Sequence, residues 1–355
     1  MLAMRLHRND AIEARPLVAE EVPVPRPAPG ELLVKVQACG ICRTDLHVIE
    51  GDLPLPGTPL IPGHQVVGRV EAWGDNVQGF EAGERIGIAW LRHTCGTCRF
   101  CRTGRENLCE ASRFTGYHAN GGFAEYAVVP AGYAYRIPER FSSAEATPLL
   151  CAGIIGFRAL RRSNLERGQR LGILGFGSSA HVTLQVARHM GCEVYVLTRG
   201  RRHRDFAREL GATWVGGPDD RFPIQVDSAI IFAPAGDLVP VALRNVDKGG
   251  TVALAGIHMS EVPAMSYEPH LFYEKNLRSV TANTRADGER LLEVAAEIPI
   301  RCSITPFPLE QANEALGQLK EDGLNGAGVL IPPGESRGSV IASDQRARPP
   351  GSPAG

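Results

Sequence analysis

Cys95, Cys98, Cys101 and Cys109 stand in the spacing C-x-x-C-x-x-C-x7-C, which can close four thiolates around one tetrahedral Zn²⁺. A closed four-thiolate shell has no vacant position for a substrate, so its expected task is to hold a loop in place. Cys42, His64 and Cys151 supply a different set. Two thiolates and one imidazole leave the fourth position of zinc open, which is the composition of a catalytic centre. These three residues are far apart in the chain, and a lone buried Cys or His is more often inert core than ligand, so spacing alone does not assemble them.

A third chemical signal is Gly175-Phe-Gly177-Ser-Ser-Ala180. It follows an apolar run, Leu171–Leu174, and opens a helical stretch, Ala180–His189, which is the context that gives a G-x-G-x-x-G/A match its meaning. The glycines let the backbone approach a pyrophosphate, Ala180 allows close helix-strand packing, and the helix N-terminus offers free N–H groups to the anion. At the end of the next apolar run, Glu193–Leu197, an acidic residue would bind the bare adenosine ribose. Here Thr198 is followed by Arg199, Arg201 and Arg202, a hydroxyl with cations that suits a 2′-phosphate. The expected cofactor is therefore NADP(H), with NAD(H) as the alternative.

The elements that must carry these groups fall into two textures. The first 150 residues are rich in Gly and Pro and predict short strands, among them Leu32–Ala38, Val66–Ala72 and Glu125–Val129. From about Arg170 the pattern becomes β-α-β, continued by apolar runs at Ser228–Phe232 and Thr251–Ala255, and predicts a doubly wound parallel sheet. Helical segments near Gly288–Glu297 and Leu309–Lys320 and a strand at Gly328–Ile331 close the ordered part, and residues 336–355 read as a disordered tail.

The chain has 355 residues and a formal net charge of −1. That length suggests two domains. The balanced charge lacks the basic footprint of a nucleic-acid or polybasic membrane partner, so a small-molecule substrate is expected. The clustered cysteines and the charged start, with Arg5, His7 and Arg8, favour metal binding in a reducing cytoplasm over secreted disulfides. No stretch reaches the roughly 20 apolar residues that span a bilayer.

Taken together, Ala38-Cys-Gly-Ile-Cys42-Arg-Thr-Asp-Leu-His47, Gly63-His64-Gln-Val-Val-Gly68, the four-cysteine lobe, Leu150-Cys151-Ala-Gly153 and the Gly-rich turn occur in the order seen in zinc-dependent medium-chain alcohol dehydrogenases. Over residues 4–332 the chain resembles that family, and most closely its bacterial primary-alcohol members. The resemblance implies an α/β fold, with a GroES-like β-rich catalytic domain over residues 1–152 that carries the structural zinc lobe at 92–112. A Rossmann domain follows over 153–284, and the catalytic domain resumes over 285–335.

It further implies Cys42, His64 and Cys151 as catalytic zinc ligands, Asp45 as the carboxylate orienting His64, and Thr44 and His47 as a proton relay. By the same resemblance Arg43 pairs with the cofactor pyrophosphate, Trp90 forms an aromatic wall of the substrate pocket with Ile257 a neighbour, and the chain is a dimer or tetramer. Two zinc ions per chain and the interconversion of primary, or secondary, alcohols with aldehydes or ketones are the resulting expectations.

Two departures stand out. Gln65 follows the ligand histidine where the family commonly has Glu, which bears on the kinetics of ligand exchange, and Asn325-Gly-Ala-Gly328 has no cation where some relatives place an Arg against the pyrophosphate. Cys39, Cys192 and Cys302 match no ligand position and are expected as small buried apolar residues. Three alternatives remain at this level: a physiological reductase of aldehydes or α,β-unsaturated carbonyls on the same residues, a zinc-free quinone-type relative, and a zinc-ribbon binding protein, against which the neutral charge argues.

Overall fold

A computed structural model describes residues 1–324 and 326–335. The predicted tail at 336–355 and Asn325 lie outside the described residues. Contacts divide the chain into two compact units. One comprises Met1–Ala89, Thr115–Thr147 and the described residues from Ser303 on; the other comprises Trp90–Phe114 and Pro148–Cys302.

The first unit is built on a mixed sheet of seven strands. Glu31–Gly40 pairs antiparallel with Gln65–Trp73 on one side and with Ala327–Ile331 on the other, and also pairs with Tyr126–Pro130. The sheet continues through Arg85–Ile88 to Ala134–Arg136 and ends at Ile304–Pro308 on its far side. β-Branched and leucine side chains, among them Val34, Val36, Val66, Val70, Ile86 and Ile88, are almost fully buried along it and form the core with Phe123 and Leu330. The strand predicted at 328–331 thus joins the sheet of the N-terminal strands.

The second unit contains a parallel sheet of six strands, in spatial order Trp214–Gly216, Glu193–Leu197, Arg170–Leu174, Val226–Ile231, Val246–Leu254, Asn276–Ser279. Numbered along the chain this is 3-2-1-4-5-6, the doubly wound order, whose switch point lies between the first and fourth strands. Leu171, Ile173, Val194, Val196, Ala229, Ile230, Val252 and Ala253 have no exposed surface, as a sheet covered on both faces requires. Helix Ser178–His189 follows the first strand, and Gly156 of helix Ala152–Arg162 lies so close to Ser179 and Thr183 that a Cβ there would overlap the hydroxyl of Thr183. Among the described residues no helix is long and apolar enough to cross a membrane.

Candidate metal centres and nucleotide turn

Sheet register brings the first two donors together. Gly40 is paired with Gln65, so Cys42, two residues beyond one strand end, comes beside His64, which immediately precedes the other. His64 is seated by a tight backbone crossing: Gly63 has φ +95°, and a Cβ on Gly121 would overlap the carbonyl oxygen of Gly63. Only glycines fit there.

Cys42 is the N-cap of helix Arg43–Glu50. Its sulfur accepts from Thr44 N–H at 3.3 Å, and its own N–H donates to Asp45 Oδ2 at 2.8 Å. Asp45 Oδ1 lies 3.1 Å from His64 Nδ1, and His64 Nε2 lies 3.4 Å from Cys42 Sγ. A proton on Nδ1, shared with the carboxylate, leaves the Nε2 lone pair facing the sulfur, the tautomer a metal needs. Cys151, the N-cap of helix Ala152–Arg162, completes the set: the ligand atoms of Cys42, His64 and Cys151 lie within 4.8 Å of one another.

His64 and Asp45 are almost wholly buried. Burial lifts the Asp45 carboxyl above its ordinary range against the pull of His64. Burial alone would lower the His64 ring, yet the charges of Asp45 and Cys42 raise it well above the usual imidazole value. The cluster therefore favours positive charge at its centre, and its two sulfurs and one nitrogen fit a zinc with one open position.

In the second unit, the ligand atoms of Cys95, Cys98, Cys101 and Cys109 also lie within 4.8 Å of one another. Cys95 Sγ is 3.6 Å from Cys109 Sγ and 3.9 Å from Cys101 Sγ, and Cys98 Sγ is 3.5 Å from Cys101 Sγ. Backbone N–H groups of Cys98 and Thr97 pull the Cys95 thiol down to about 6, while burial pushes that of Cys101 up to about 11. Four sulfurs at this separation fit a closed zinc shell.

At the nucleotide turn, Gly175 has φ +88°, and a Cβ there would press on Ala233, just past the fourth strand. Gly177 caps helix Ser178–His189 without a side-chain hydrogen bond, and a Cβ on it would meet nothing within 4 Å, so the helix N-terminus is open to an anion. Ala180 is fully buried. Thr198 is buried while Arg199 and Arg202 are exposed, and Arg204 donates to the carbonyl oxygens of Thr198 (3.3 Å) and Arg199 (2.6 Å), which fixes the turn.

Of the remaining expected residues, Thr44 is buried and His47 lies one turn further along the same helix. Arg43 forms an exposed ion pair with Asp322 at 2.7 Å, a class of contact worth little in water. Trp90 is half-buried, and Ile257 is 68% exposed. Cys39 and Cys192 are buried and Cys302 is partly so. Two residues escaped the sequence. Asp52 Oδ2 lies 2.7 Å from His47 Nδ1, and Phe114 stacks on Trp90. The only signal for Asp52 was an acidic residue just past the end of the helix that carries the histidine.

Comparison with known proteins agrees with this geometry. Residues 28–139 match the alcohol dehydrogenase GroES-like domain and residues 180–297 the zinc-binding dehydrogenase domain. The chain is 51% identical over 336 residues to "Probable alcohol dehydrogenase AdhA" of Mycobacterium tuberculosis, covering 93% of this chain and 97% of that one. To an alcohol dehydrogenase of Geobacillus stearothermophilus it is 35% identical over 325 residues, covering 89% and 96%. Among solved structures, a provisionally assigned zinc-binding dehydrogenase from Sinorhizobium meliloti 1021 bound to NADP superposes with a TM-score of 0.81 at 29% identity, covering 93% of this chain and 99% of that one. The α/β architecture, with its GroES-like and Rossmann parts, and the sequence kinship agree: the chain belongs to the zinc-dependent medium-chain alcohol dehydrogenase family and is an oxidoreductase.

Proposed function

We propose that this protein interconverts short primary alcohols and their aldehydes with NADP(H), at a centre held by Cys42, His64 and Cys151, while Cys95, Cys98, Cys101 and Cys109 hold a second, structural zinc. The observation that carries the reading is the convergence of two sulfurs and one imidazole nitrogen within 4.8 Å, with a buried carboxylate on the far side of the ring. Zinc in such a site supplies Lewis acidity, which lowers the pKa of an alcohol, and the nicotinamide exchanges hydride with the alcohol carbon.

The chain's own residues do the rest. Asp45 orients His64 and fixes its tautomer through Nδ1. Thr44 and His47, three residues apart in one helix, share a face. The Thr44 hydroxyl would accept the alcohol proton as it gives up its own, and His47, on the same helix face, would take up the proton that leaves. Asp52 engages Nδ1 of His47, so Nε2 is the nitrogen left to take the proton. Arg43, ion-paired with the exposed Asp322, would hold the pyrophosphate, a task suited to its planar fork of donors.

Gly175, Gly177 and Ala180 seat the dinucleotide, and Thr198 with Arg199 and Arg202 favours the phosphorylated ribose over the bare diol. Trp90 is the aromatic wall that favours small alcohols, with Ile257 at its margin. The domains divide this labour between residues 1–152 with 285–335 and residues 153–284, and the working form is a homo-oligomer.

The test is a spectrophotometric screen of alcohols and aldehydes with both cofactors before and after chelation, with zinc measured per chain. Expected are two zinc ions, loss of turnover on chelation and a higher kcat/KM with NADP⁺. A preference for NAD⁺ overturns the cofactor assignment, and turnover that survives complete metal removal overturns the metal centre.

A further inference from the structure

The residues around Trp90 explain how a loop-borne side chain keeps a fixed position. Trp90 immediately precedes the short strand Leu91–His93, which pairs antiparallel with Arg113–Phe114 in a separate two-stranded sheet. Leu91 faces Phe114 and His93 faces Arg113. Two rungs of ladder are marginal in water without further support.

That support is the four-cysteine lobe, which forms the connection between the two strands. Cys95 lies two residues beyond one strand and Cys109 four residues before the other, and Cys95 N–H donates to Cys109 Sγ at 3.4 Å, closing the neck of the ribbon. The lobe is also tied to the body of its own unit. Glu106 accepts from the Arg285 backbone N–H at 2.8 Å and from its guanidinium at 2.7 Å, and Asn107 donates to the Thr281 carbonyl oxygen at 2.7 Å. At the open end of the ribbon the Phe114 ring lies flat on the Trp90 indole, with centroids 4.8 Å apart and planes 11° from parallel. Such a stack removes freedom from the indole that a lone half-buried Trp would keep.

We infer that Phe114, held by the four-thiolate lobe, is a positioning residue that fixes the Trp90 ring, so the metal-stapled lobe sets which alcohols are accepted. This rests on the assignment of Trp90 as the substrate wall. Loss of the stack takes one restraint from the indole, so the wall yields, and aromatic alcohols gain on short ones through KM with little change in kcat.

The experiment compares Phe114→Leu, which keeps apolar bulk without a flat face, with Phe114→Tyr, which keeps the face, and with Trp90→Ala. Each is assayed for kcat and KM with propan-1-ol and benzyl alcohol. The fluorescence anisotropy of Trp90 is read without substrate, for the Phe114 and Cys98 variants, in a background where Trp73 and Trp214 are replaced by Phe.

Expected for Phe114→Leu is a rise of about three- to tenfold in the benzyl-to-propanol ratio of kcat/KM, carried by KM, with lowered anisotropy. Phe114→Tyr restores both. Cys98→Ser lowers the anisotropy as well, a readout independent of turnover. If Trp90→Ala shifts the ratio but Phe114→Leu leaves ratio and anisotropy unchanged, the inference fails and the wall assignment stands. If Trp90→Ala leaves the ratio unchanged, the wall assignment fails and the inference with it.

Discussion

Replacing Asp45 by Asn separates two roles that the carboxylate combines. One oxygen accepts Cys42 N–H at 2.8 Å and caps the helix; the other lies 3.1 Å from His64 Nδ1, and the side chain is 2% exposed. Asparagine can keep the cap with its carbonyl oxygen. Its amide then turns an N–H donor toward His64 Nδ1, which pushes the ring proton to Nε2 and blocks the nitrogen that a metal needs. Loss of such an outer carboxylate typically costs about 10- to 100-fold in metal affinity, or about 1.4–2.7 kcal/mol. Asp45→Ala adds loss of the cap, about 1 kcal/mol of stability.

Competition against a chromogenic chelator at fixed pH, with zinc counted per chain, reads the first quantity, and the urea midpoint reads the second. One metal of the two weakens by that factor in both variants while the other is unmoved, and only Asp45→Ala lowers the urea midpoint. Wild-type retention of both metals in Asp45→Asn would refute the orienting role, and loss of both would refute the independence of the two centres.

Asp52→Asn removes the carboxylate charge that lies 2.7 Å from His47 Nδ1. Because Asp52 is 65% exposed, the expected fall in kcat is about three- to tenfold, a small part of the roughly 10²–10⁴ that proton transfer contributes; a kcat identical to wild type would count against the relay partner. Asp287→Asn strikes a buried carboxylate that accepts from Thr284 N–H (3.0 Å), Thr284 Oγ (2.8 Å), Arg158 (2.5 Å) and Arg161 (2.7 Å). Breaking such an ion-paired cluster costs about 3–5 kcal/mol, seen as a lower urea midpoint. Burial tends to raise the Asp287 carboxyl, but the Thr284 N–H and Arg158 outweigh it and hold it below the ordinary range. Its contribution is thus present above the unfolded value of about 3.9 and lost as pH falls through the lower folded value, and the variant should lack that part of the acid limb.

What the sequence disclosed followed from local pattern. The run Glu193–Leu197 is a strand over the same residues, because after the exposed Glu193 it is buried and its side chains are apolar or aromatic, as a sheet covered on both faces requires. The strand read from Thr251 begins at Val246, since its first half, Asp247-Lys-Gly-Gly250, is polar and carries a glycine at φ +75° that no apolar run announces. The helix read over Leu309–Lys320 opens as a 3₁₀ turn, Leu309–Gln311, and becomes α-helical only from Ala312. The site was legible where family motifs named residue types and illegible where geometry decides. Nothing local says that Gly40 pairs with Gln65, yet that register sets Cys42 beside His64. Phe114 lies in a strand of two residues, too short for any periodicity to reveal its partner.

A common device prepares the cysteines for metal before any ion is considered. Cys42, Cys98 and Cys151 each occupy the N-cap of a helix, where backbone N–H groups lack intrahelical partners. Cys42 Sγ accepts from Thr44 N–H, Cys95 Sγ from Cys98 N–H, Cys98 Sγ from Cys101 N–H and Cys109 Sγ from Cys95 N–H, all between 3.3 and 3.5 Å. Each bond fixes the direction of the sulfur, and at Cys95 the donated N–H groups draw the thiol down to about 6. An arriving cation therefore meets sulfurs already aimed by the main chain, and the cost of ordering them falls on folding and not on metal capture. This is why short spacings such as C-x-x-C recur in the lobe: the second cysteine's N–H is the donor that turns the first one's sulfur inward.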